Sequence, residues 1–427
     1  MNARYLATDI LHGVLTRQHY ANLSLKQHLD EVRPMDRGLV TQLVYGTLQN
    51  QLYVRKRWQA HLKTQPDALT ATVLDMAVYQ LLFLDKIPAY AVLNEAQDYL
   101  RTQHRGSVTG MVNAVLRKIS DEGKIDIQSN DRIETIAFNT SLPTWILRMW
   151  AKQYGEEIAI ACAQSLILPT DTSVRVNTLL TNMDEVLADP NASPGRLSLD
   201  AIRYRGNFLN SEWFTSGKGV LQDEASQEVV NLLDAKPGMH VLDLCAAPGT
   251  KTSAIAQKMQ NHGEILALDL HPQRVKLIEE GMTKLGVTIV TAKACDSRDC
   301  TSIFSPETRF DAVLADVPCS GLGVLRRKPD IKARITPEDL DTLQTLQYQL
   351  LTSGSVWVKK DGILVYSTCT LNKKENEKQV ERFLSEHPDY ILISQRTIFP
   401  YEYETDGFYM AKMQRTGDCG KIPTVIL

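Results

Sequence analysis

The chain has no C-x-x-C pair, no apolar run near the ~20 residues that cross a bilayer, and no strong excess of either charge. Its seven cysteines (Cys162, Cys245, Cys295, Cys300, Cys319, Cys369 and Cys419) are odd in number and scattered, and the nine histidines form no ligand-spaced cluster with them. A disulfide framework and a zinc site are therefore not expected, and no metal is assigned. The first turns lack the uninterrupted apolar core of a signal peptide, so we expect a reducing, cytoplasmic compartment and no membrane partner. Basic and acidic residues number 47 and 50. Residues 1–140 hold 16 basic and 14 acidic side chains, the remainder 31 and 36. That difference is too small to be a nucleic-acid signature by itself. There is no internal repeat, no low-complexity tract and no exposed seam, which makes a monomer the expectation.

What is present divides into three stretches, as a length of 427 residues allows. Residues 1–140 read as an all-α domain. Val108, Met111, Val112, Val115, Leu116 and Ile119 recur at helical spacing behind Ser107 as cap, and Val73, Met76, Ala77, Leu81 and Leu84 repeat the pattern before Pro88 ends it. Basic residues gather at Arg55-Lys56-Arg57, at Arg101 with Arg105, and at Arg117-Lys118; they become an RNA footprint only if they share a surface. Residues 141–235 read as a small α+β module. Ser173-Val-Arg-Val-Asn-Thr178 alternates like a strand, residues 189–195 form a loop, and Gly219-Val-Leu-Gln-Asp-Glu-Ala-Ser226 runs from a turn towards a helix. Residues 236–427 alternate strands and helices, which predicts a mostly parallel sheet covered on both faces. Strands are expected at 239–245, 264–270, 287–293, 310–316 and 362–367, with a last one near 408–413. Thr336-Pro-Glu-Asp339 carries the cap, proline and acid that open a helix, and residues 372–375 offer a similar start.

The stretch Met239-His-Val-Leu-Asp-Leu-Cys-Ala-Ala-Pro-Gly-Thr-Lys-Thr252 is a short apolar strand that stops at Ala246, Ala247 and Gly249 before a helix begins at Thr250. Small side chains at such a junction let a nucleotide-like cofactor lie against the backbone. A phosphate-cradling loop does not fit, because Lys251 does not directly follow Gly249 and the upstream glycine position holds Leu244. The dinucleotide G-x-G-x-x-G pattern is absent too. Acids then follow successive strands: Asp243, Asp269, Asp296 and Asp316. Asp269 comes 20 residues after Gly249, the place where a carboxylate accepts hydrogen bonds from ribose hydroxyls, and Asp296 would meet an adenine amine.

Two cysteines share that rim, Cys319 in Asp316-Val-Pro-Cys-Ser-Gly-Leu-Gly323 and Cys369 in Tyr366-Ser-Thr-Cys-Thr370. A lone free cysteine is usually buried and inert, but two at this rim, each just past a strand end, suggest chemistry. Carbon 5 of cytosine is too weak a nucleophile to take a methyl group directly. Thiolate addition at carbon 6 makes an enamine that can. A base must then remove the carbon 5 proton so that the thiolate leaves. Asp316 could hold the ring through nitrogen 3. With a free-thiol pKa of ~8.5, the nucleophile needs nearby positive charge. Methylation of an exocyclic amine would want Pro-Pro and an aromatic after the acid, where this chain has Val-Pro-Cys.

On these residues the chain resembles the RNA (cytosine-5)-methyltransferase family that uses S-adenosylmethionine. The matching segments are Arg175-Val-Asn-Thr178, Gln222-Asp-Glu-Ala-Ser226, residues 243–252 and 316–323, Arg326-Arg-Lys-Pro-Asp-Ile331, Ser367-Thr-Cys369, Glu375-Asn-Glu377 and Asp406-Gly-Phe408. The helical front is similar to the NusB-type RNA-binding fold. The resemblance implies an α/β Rossmann-like methyltransferase domain with a seven-stranded sheet. It implies a cofactor loop of Cys245, Ala246, Ala247, Pro248, Gly249, Thr250 and Lys251, with Asp269 on the ribose and Asp296 on the adenine. Asp316, beside the cofactor, would bind the target base, Cys369 would be the nucleophile, and Cys319 would help release product; the residues by themselves do not rank the two cysteines. Thr250 departs from the second glycine usual in the family and would crowd the cofactor's methionine end. The implied substrate is a cytidine of free 16S rRNA before subunit assembly, unstacked and turned into the pocket; Arg326, Arg327 and Lys328 follow the Asp316 loop closely and read equally as holders of the RNA backbone or as a solvated turn. Two alternatives stand beside it: the same chemistry on tRNA or 23S rRNA, and an RNA-binding assembly factor with a vestigial transferase domain.

Overall fold

A computed structural model describes residues 2–417, and Cys419 lies outside them. The described residues form two compact units, one of residues 2–168 with 325–335, the other of residues 169–324 with 336–417. The expected 141–235 module is thereby divided. Its helices Thr144–Tyr154 and Glu156–Ser165 pack with Arg132–Asn139 in the first unit, whereas its strands belong to the second.

The first unit is helical because its apolar residues recur every three to four positions and must share one interior. The long helix Arg37–Gln59 packs on Ala3–Arg17 and Ala68–Phe83, followed by Ala89–Thr102 and Thr109–Glu122. Leu11, Leu43, Val44, Leu48, Leu74, Leu100 and Leu116 are all buried in one core; each contributes ~1.5–3 kcal/mol relative to exposure. Asp67 caps Ala68–Phe83 by accepting from the N–H groups of Leu69 and Thr70, and the next helix starts behind Pro88. Ser107 is not the cap expected of it. It lies in a 3-10 turn, and the helix opens after Val108 without a side-chain cap.

The basic cluster at 55–57 is largely consumed inside this unit. Arg55 Nη2 lies 2.5 Å from Oδ2 of the fully buried Asp75. Buried Arg57 donates to Gly123 O and Glu122, and Lys56 sits 4.7 Å from the Phe138 ring centre. The inserted segment 325–335 packs in the same unit. Lys332 Nζ donates to Gln49 O at 2.6 Å, and Arg326 Nη1 donates to Ser165 O at 3.4 Å. Arg326 is half-buried, while Arg327 and Lys328 are exposed.

The second unit carries two sheets. Four strands, β1 (Thr172–Val176), β2 (Ala192–Pro194), β3 (Ala201–Tyr204) and β4 (Gly219–Leu221), pair antiparallel in the order β2-β3-β1-β4 over Val174, Val176, Ile202 and Phe208. The loop expected at 189–195 thus contains a short strand. Seven more follow: β5 (His240–Asp243), β6 (Glu264–Asp269), β7 (Val290–Ala294), β8 (Phe310–Asp316), β9 (Val358–Thr368), β10 (Tyr390–Ile398) and β11 (Phe408–Arg415). Their order is β10-β11-β9-β8-β5-β6-β7, parallel from β9 to β7 and antiparallel at β11 and β10. The mostly parallel sheet is as expected, with β10 as an unforeseen edge strand. Helix Pro337–Val356 opens with the expected capping box of Thr336 and Asp339. Residues 372–376 instead form a turn, and helix Glu377–Glu386 begins after it.

This order makes β5 and β8 neighbours while the chain proceeds from β5 outward through β6 and β7. The crevice past their carboxyl ends is a topological switch point, where open α/β sheets bind ligands.

Candidate active site

Val241 and Leu242 are buried in β5, and the chain must turn sharply after Leu244 to enter helix Thr250–Lys258. Gly249 makes that turn possible. Its φ is +96°, and an added Cβ would meet Met282 Cε at 3.0 Å, so both the left-handed backbone and the close approach favour glycine. Ala246 N donates to Leu268 O and Gly249 N to Ala246 O, while Ser297 Oγ donates to Leu244 O. These bonds tie the loop to β6 and to the turn after β7. Arg175 of β1 braces the helix from behind: it is buried, and donates to Gln257 Oε1, Ser253 Oγ and Thr250 O. Burial brings its guanidinium down to about 10, against the opposing charge of Asp200.

The four strand-end acids fare differently. Asp243 is buried; Oδ2 accepts from Thr252 Oγ1 at 2.7 Å and Oδ1 has no hydrogen-bond partner. Burial, with the charge of Asp316 added, pushes its carboxyl up to about 7 despite Thr252 and Lys251. Asp269 is also buried, accepting from His271 N and lying 3.3 Å from Arg274 Nη1. Asp296 is chelated by Arg298 two residues on, at 2.9, 3.0 and 2.5 Å. The Arg298 hydrogen bond is the chief reason that its carboxyl lies below the usual range. Asp316 ends β8, where Oδ2 accepts from Lys251 Nζ at 2.7 Å and Oδ1 from Ser367 Oγ at 2.7 Å. Lys251 Nζ also lies 5.3 Å from the Phe408 ring centre. Burial alone would lower its ammonium, but Asp316, the Cys369 sulfur and Asp243 raise it on balance.

The two rim cysteines come together. Cys319 Sγ and Cys369 Sγ are 3.2 Å apart, past the ends of the paired strands β8 and β9. The Cys319 thiol is held well up, first by its hydrogen bond to Cys369, then by burial and by negative charge at Cys369 and Glu375. Cys245 in the loop is also held up, chiefly by burial and then by Asp243, Asp316 and Asp269.

Sequence reasoning assigned no role to the groups that hold this pair in place. Ser320, next to Cys319, donates its N–H to Glu375 Oε2 (2.9 Å) and shares its hydroxyl with Glu375 Oε1 (2.6 Å) and Thr370 Oγ1 (2.7 Å). Gln347 Nε2 donates to both Pro318 O and Glu375 Oε2. Gly323 N donates to Cys369 O and Gly407 N to Gly323 O, so the loops after β8, after β9 and before β11 are stitched through their backbones. The available signal was the Glu375-Asn-Glu377 run, whose first acid is wholly buried. Among the described residues, no group of three or more His, Cys, Asp or Glu side chains is arranged to hold a metal ion, and no helix is long and apolar enough to cross a membrane.

Strand order, a small-residue loop at the switch point and acids on successive strand ends together define a Rossmann-like methyltransferase domain, here accompanied by a helical NusB-like unit. Comparison with known proteins agrees: residues 230–414 match the model described as "16S rRNA methyltransferase RsmB/F", and residues 1–121 match the NusB family. The chain is 35% identical over 446 aligned positions to "Probable ribosomal RNA small subunit methyltransferase B" of Bacillus subtilis (strain 168), covering 97% of this chain and 99% of that protein. It is 31% identical to "Ribosomal RNA small subunit methyltransferase B" of Pseudomonas putida, over 97% and 98% of the two chains. The crystal structure of PH0851 superposes with a TM-score of 0.80 at 26% identity, covering 97% of this chain and 99% of that one. The chain belongs to the ribosomal RNA small subunit methyltransferase B family, a family of RNA methyltransferases.

Proposed function

We propose that this protein methylates carbon 5 of a cytidine in 16S rRNA, with S-adenosylmethionine as methyl donor and through a transient bond to Cys369. The observation that carries the reading is the 3.2 Å approach of Cys319 and Cys369 beside the Lys251–Asp316 pair. One thiol is enough for a structural role. Two facing sulfurs at the ends of adjacent strands fit a reaction with a covalent addition and an assisted elimination.

The residues around β5 also fit the donor. The turn of Ala246, Ala247, Pro248 and Gly249 leaves backbone, not bulk, at the switch point, and carboxylates at β6 and after β7 match the hydroxyls of a ribose and the amine of an adenine. Asp269 and Asp296 would hold those groups, Arg298 giving way at the latter. When bound, the cofactor supplies an electrophilic methyl group.

The chain's own residues do the rest. Asp316, fixed by Lys251 and Ser367, accepts from the protonated ring nitrogen 3. The Cys369 thiolate forms a bond to carbon 6, the 5,6 pair becomes the 4,5 double bond of an enamine, and the pair between carbon 4 and nitrogen 3 goes to nitrogen 3, which takes a proton from water and donates it in a hydrogen bond to Asp316. Once carbon 5 has gained its methyl group, a base takes the carbon 5 proton, the double bond reforms and the carbon–sulfur bond breaks, returning the thiolate. Cys319 assists this release. The names of the relatives point to small-subunit rRNA, with free RNA as the accessible form because the base must leave its stack.

Replacing Cys369 with alanine should abolish methyl transfer to a 16S rRNA transcript. Cys319→Ala should leave a protein–RNA adduct that survives a denaturing gel. Full activity of Cys369→Ala would sink the reading, and bisulfite sequencing of RNA from cells lacking the protein would show whether the target lies in 16S rRNA, 23S rRNA or tRNA.

A further inference from the structure

The thiol pair is nearly symmetric in distance but not in its surroundings. On the Cys319 side lies Glu375, wholly buried, whose carboxylate accepts from Ser320 N (2.9 Å), Ser320 Oγ (2.6 Å), Gln347 Nε2 (2.8 Å) and Asn372 Nδ2 (2.9 Å). All four donors are uncharged, so they hold the carboxylate in place without cancelling its charge. On the Cys369 side lies the Lys251 ammonium, a cation whose attraction to Asp316 is only part of its field. Two sulfurs this close cannot both lose a proton readily, and a proton shared between them settles where the field is more negative.

We infer that Glu375 is a positioning residue that keeps the proton of the pair on Cys319 and so leaves the electron-rich sulfur on Cys369. The inference rests on the two-thiol reaction proposed above and supplies what the sequence lacks, a physical reason for the two cysteines to have different roles. Across the site the groups follow one another as Glu375 carboxylate, neutral Cys319 thiol, electron-rich Cys369 sulfur, Lys251 ammonium and Asp316 carboxylate, so the protonated sulfur lies on the anionic side and the electron-rich one on the cationic side. Cys319 faces Cys369, Glu375 and the buried phenol of Tyr366, whose hydroxyl donates to Glu375 O at 2.6 Å. The backbone N–H of Gly321 is the one group there that favours a thiolate, and it is outweighed by the Cys369 hydrogen bond, by burial and by the negative charge at Cys369 and Glu375. The carboxylate also fixes position, because Ser320 is covalently next to Cys319 and its hydroxyl bonds to that of Thr370, the residue after Cys369.

Iodoacetamide, a neutral reagent that reacts with thiolates, tests the charge placement without RNA. The full chain is reduced, labelled briefly near neutral pH, digested and read by peptide mass spectrometry. In the unaltered chain Cys369 should be labelled ~10-fold faster than Cys319, the ratio that one pKa unit gives. Glu375→Gln keeps the size and removes the charge, and should bring the ratio towards one; Glu375→Asp keeps the charge and should restore most of it. Cys162 and Cys300, both buried at 1% exposure, must stay unlabelled, which shows that each variant is folded. If Glu375→Gln exposes them, the Asp variant decides. In parallel, Glu375→Gln should lower kcat on a 16S rRNA transcript while KM for the RNA stays within ~3-fold, since the residue acts on the thiols and not on RNA binding. An unchanged labelling ratio in the folded Gln variant, or faster labelling of Cys319 in the unaltered chain, overturns the inference. The expected ratio in an unaltered chain that does not methylate RNA would instead overturn the reaction and leave the charge placement standing.

Discussion

Lys251 Nζ meets Asp316 Oδ2 at 2.7 Å with the two side chains only 12% and 24% exposed, which joins the first helix after β5 to the end of β8 across the switch point. A pair this sheltered contributes more through what happens when it is broken than through its own net stability. Lys251→Met would leave Asp316 facing Asp243 and the Cys369 sulfur with no cation between them. We expect the variant to lose ~3 kcal/mol of unfolding free energy, read from the denaturant midpoint. Its methyl transfer to a 16S rRNA transcript should fall at least ~100-fold, because the charges that organise the site are preorganised by this ammonium. Retention of both stability and activity would contradict the geometry.

Gly323 and Gly407 make a second, sharper test of how the site is held. A Cβ on Gly323 would sit 1.9 Å from Gly407 O and 2.9 Å from Cys369 O, both backbone atoms that cannot swing aside. Gly323→Ala should therefore force the loops after β8 and β9 apart and destabilise the second unit by at least ~1–3 kcal/mol, as overpacking does. The loss of activity should exceed what the unfolded fraction explains, since the two sulfurs ride on those loops. Thermal melting and single-turnover methylation on one preparation would separate the two effects.

Much of this arrangement was legible in advance. The parallel strands β5, β6 and β8 are short apolar runs ending at an acid, and the turn after β5 announces itself through Ala246, Ala247 and Gly249. The edge strand β10 was not legible, because it pairs on one side only. Its apolar residues Ile391, Leu392 and Ile393 run consecutively and stay partly exposed beside an irregularity in the pairing with β11, so they give no clean alternation. Nor could spacing show that Asp296 faces Arg298, or that Arg55 and Arg57 point into a core. Those outcomes depend on which neighbour each charge finds after folding. Ser320, Thr370 and Glu375 are ordinary polar residues until tertiary contacts bury them together, and only burial gives Glu375 its influence on the thiols.

Asp243 makes stability depend on pH. Its folded carboxyl is raised to about 7, first by burial, whereas an unfolded aspartate titrates near ~3.9. The folded state thus binds this proton more tightly than the unfolded one. The stabilisation is fully present below pH ~4 and is lost as pH rises through about 7. Asp243→Asn keeps the Thr252 hydrogen bond and removes the titration. The difference in unfolding free energy between mildly acidic and mildly alkaline buffer should shrink in the variant by up to ~4 kcal/mol, the equivalent of a three-unit shift. Parallel pH profiles of the two proteins would show that Asp243 does not titrate in this window.

Thr250 tests the fit of the donor separately from the chemistry. It is the first residue of helix Thr250–Lys258, directly after the left-handed Gly249, and its carbonyl is held by Arg175 and Ser253 from the far side. Glycine at this position would remove a β-branched side chain from the mouth of the loop proposed to hold the donor. It would also loosen the first helical turn by up to ~1 kcal/mol. If the hydroxyl and methyl crowd the methionine end of S-adenosylmethionine, Thr250→Gly should bind it more tightly in isothermal titration while melting slightly lower. Because Arg175 grips the backbone and not the Thr250 side chain, the loop should keep its shape, so a gain in affinity would come from the space vacated. Weaker binding by the glycine variant would mean that the threonine contributes to holding the cofactor loop, and that the second glycine usual at this place is not needed by this chain.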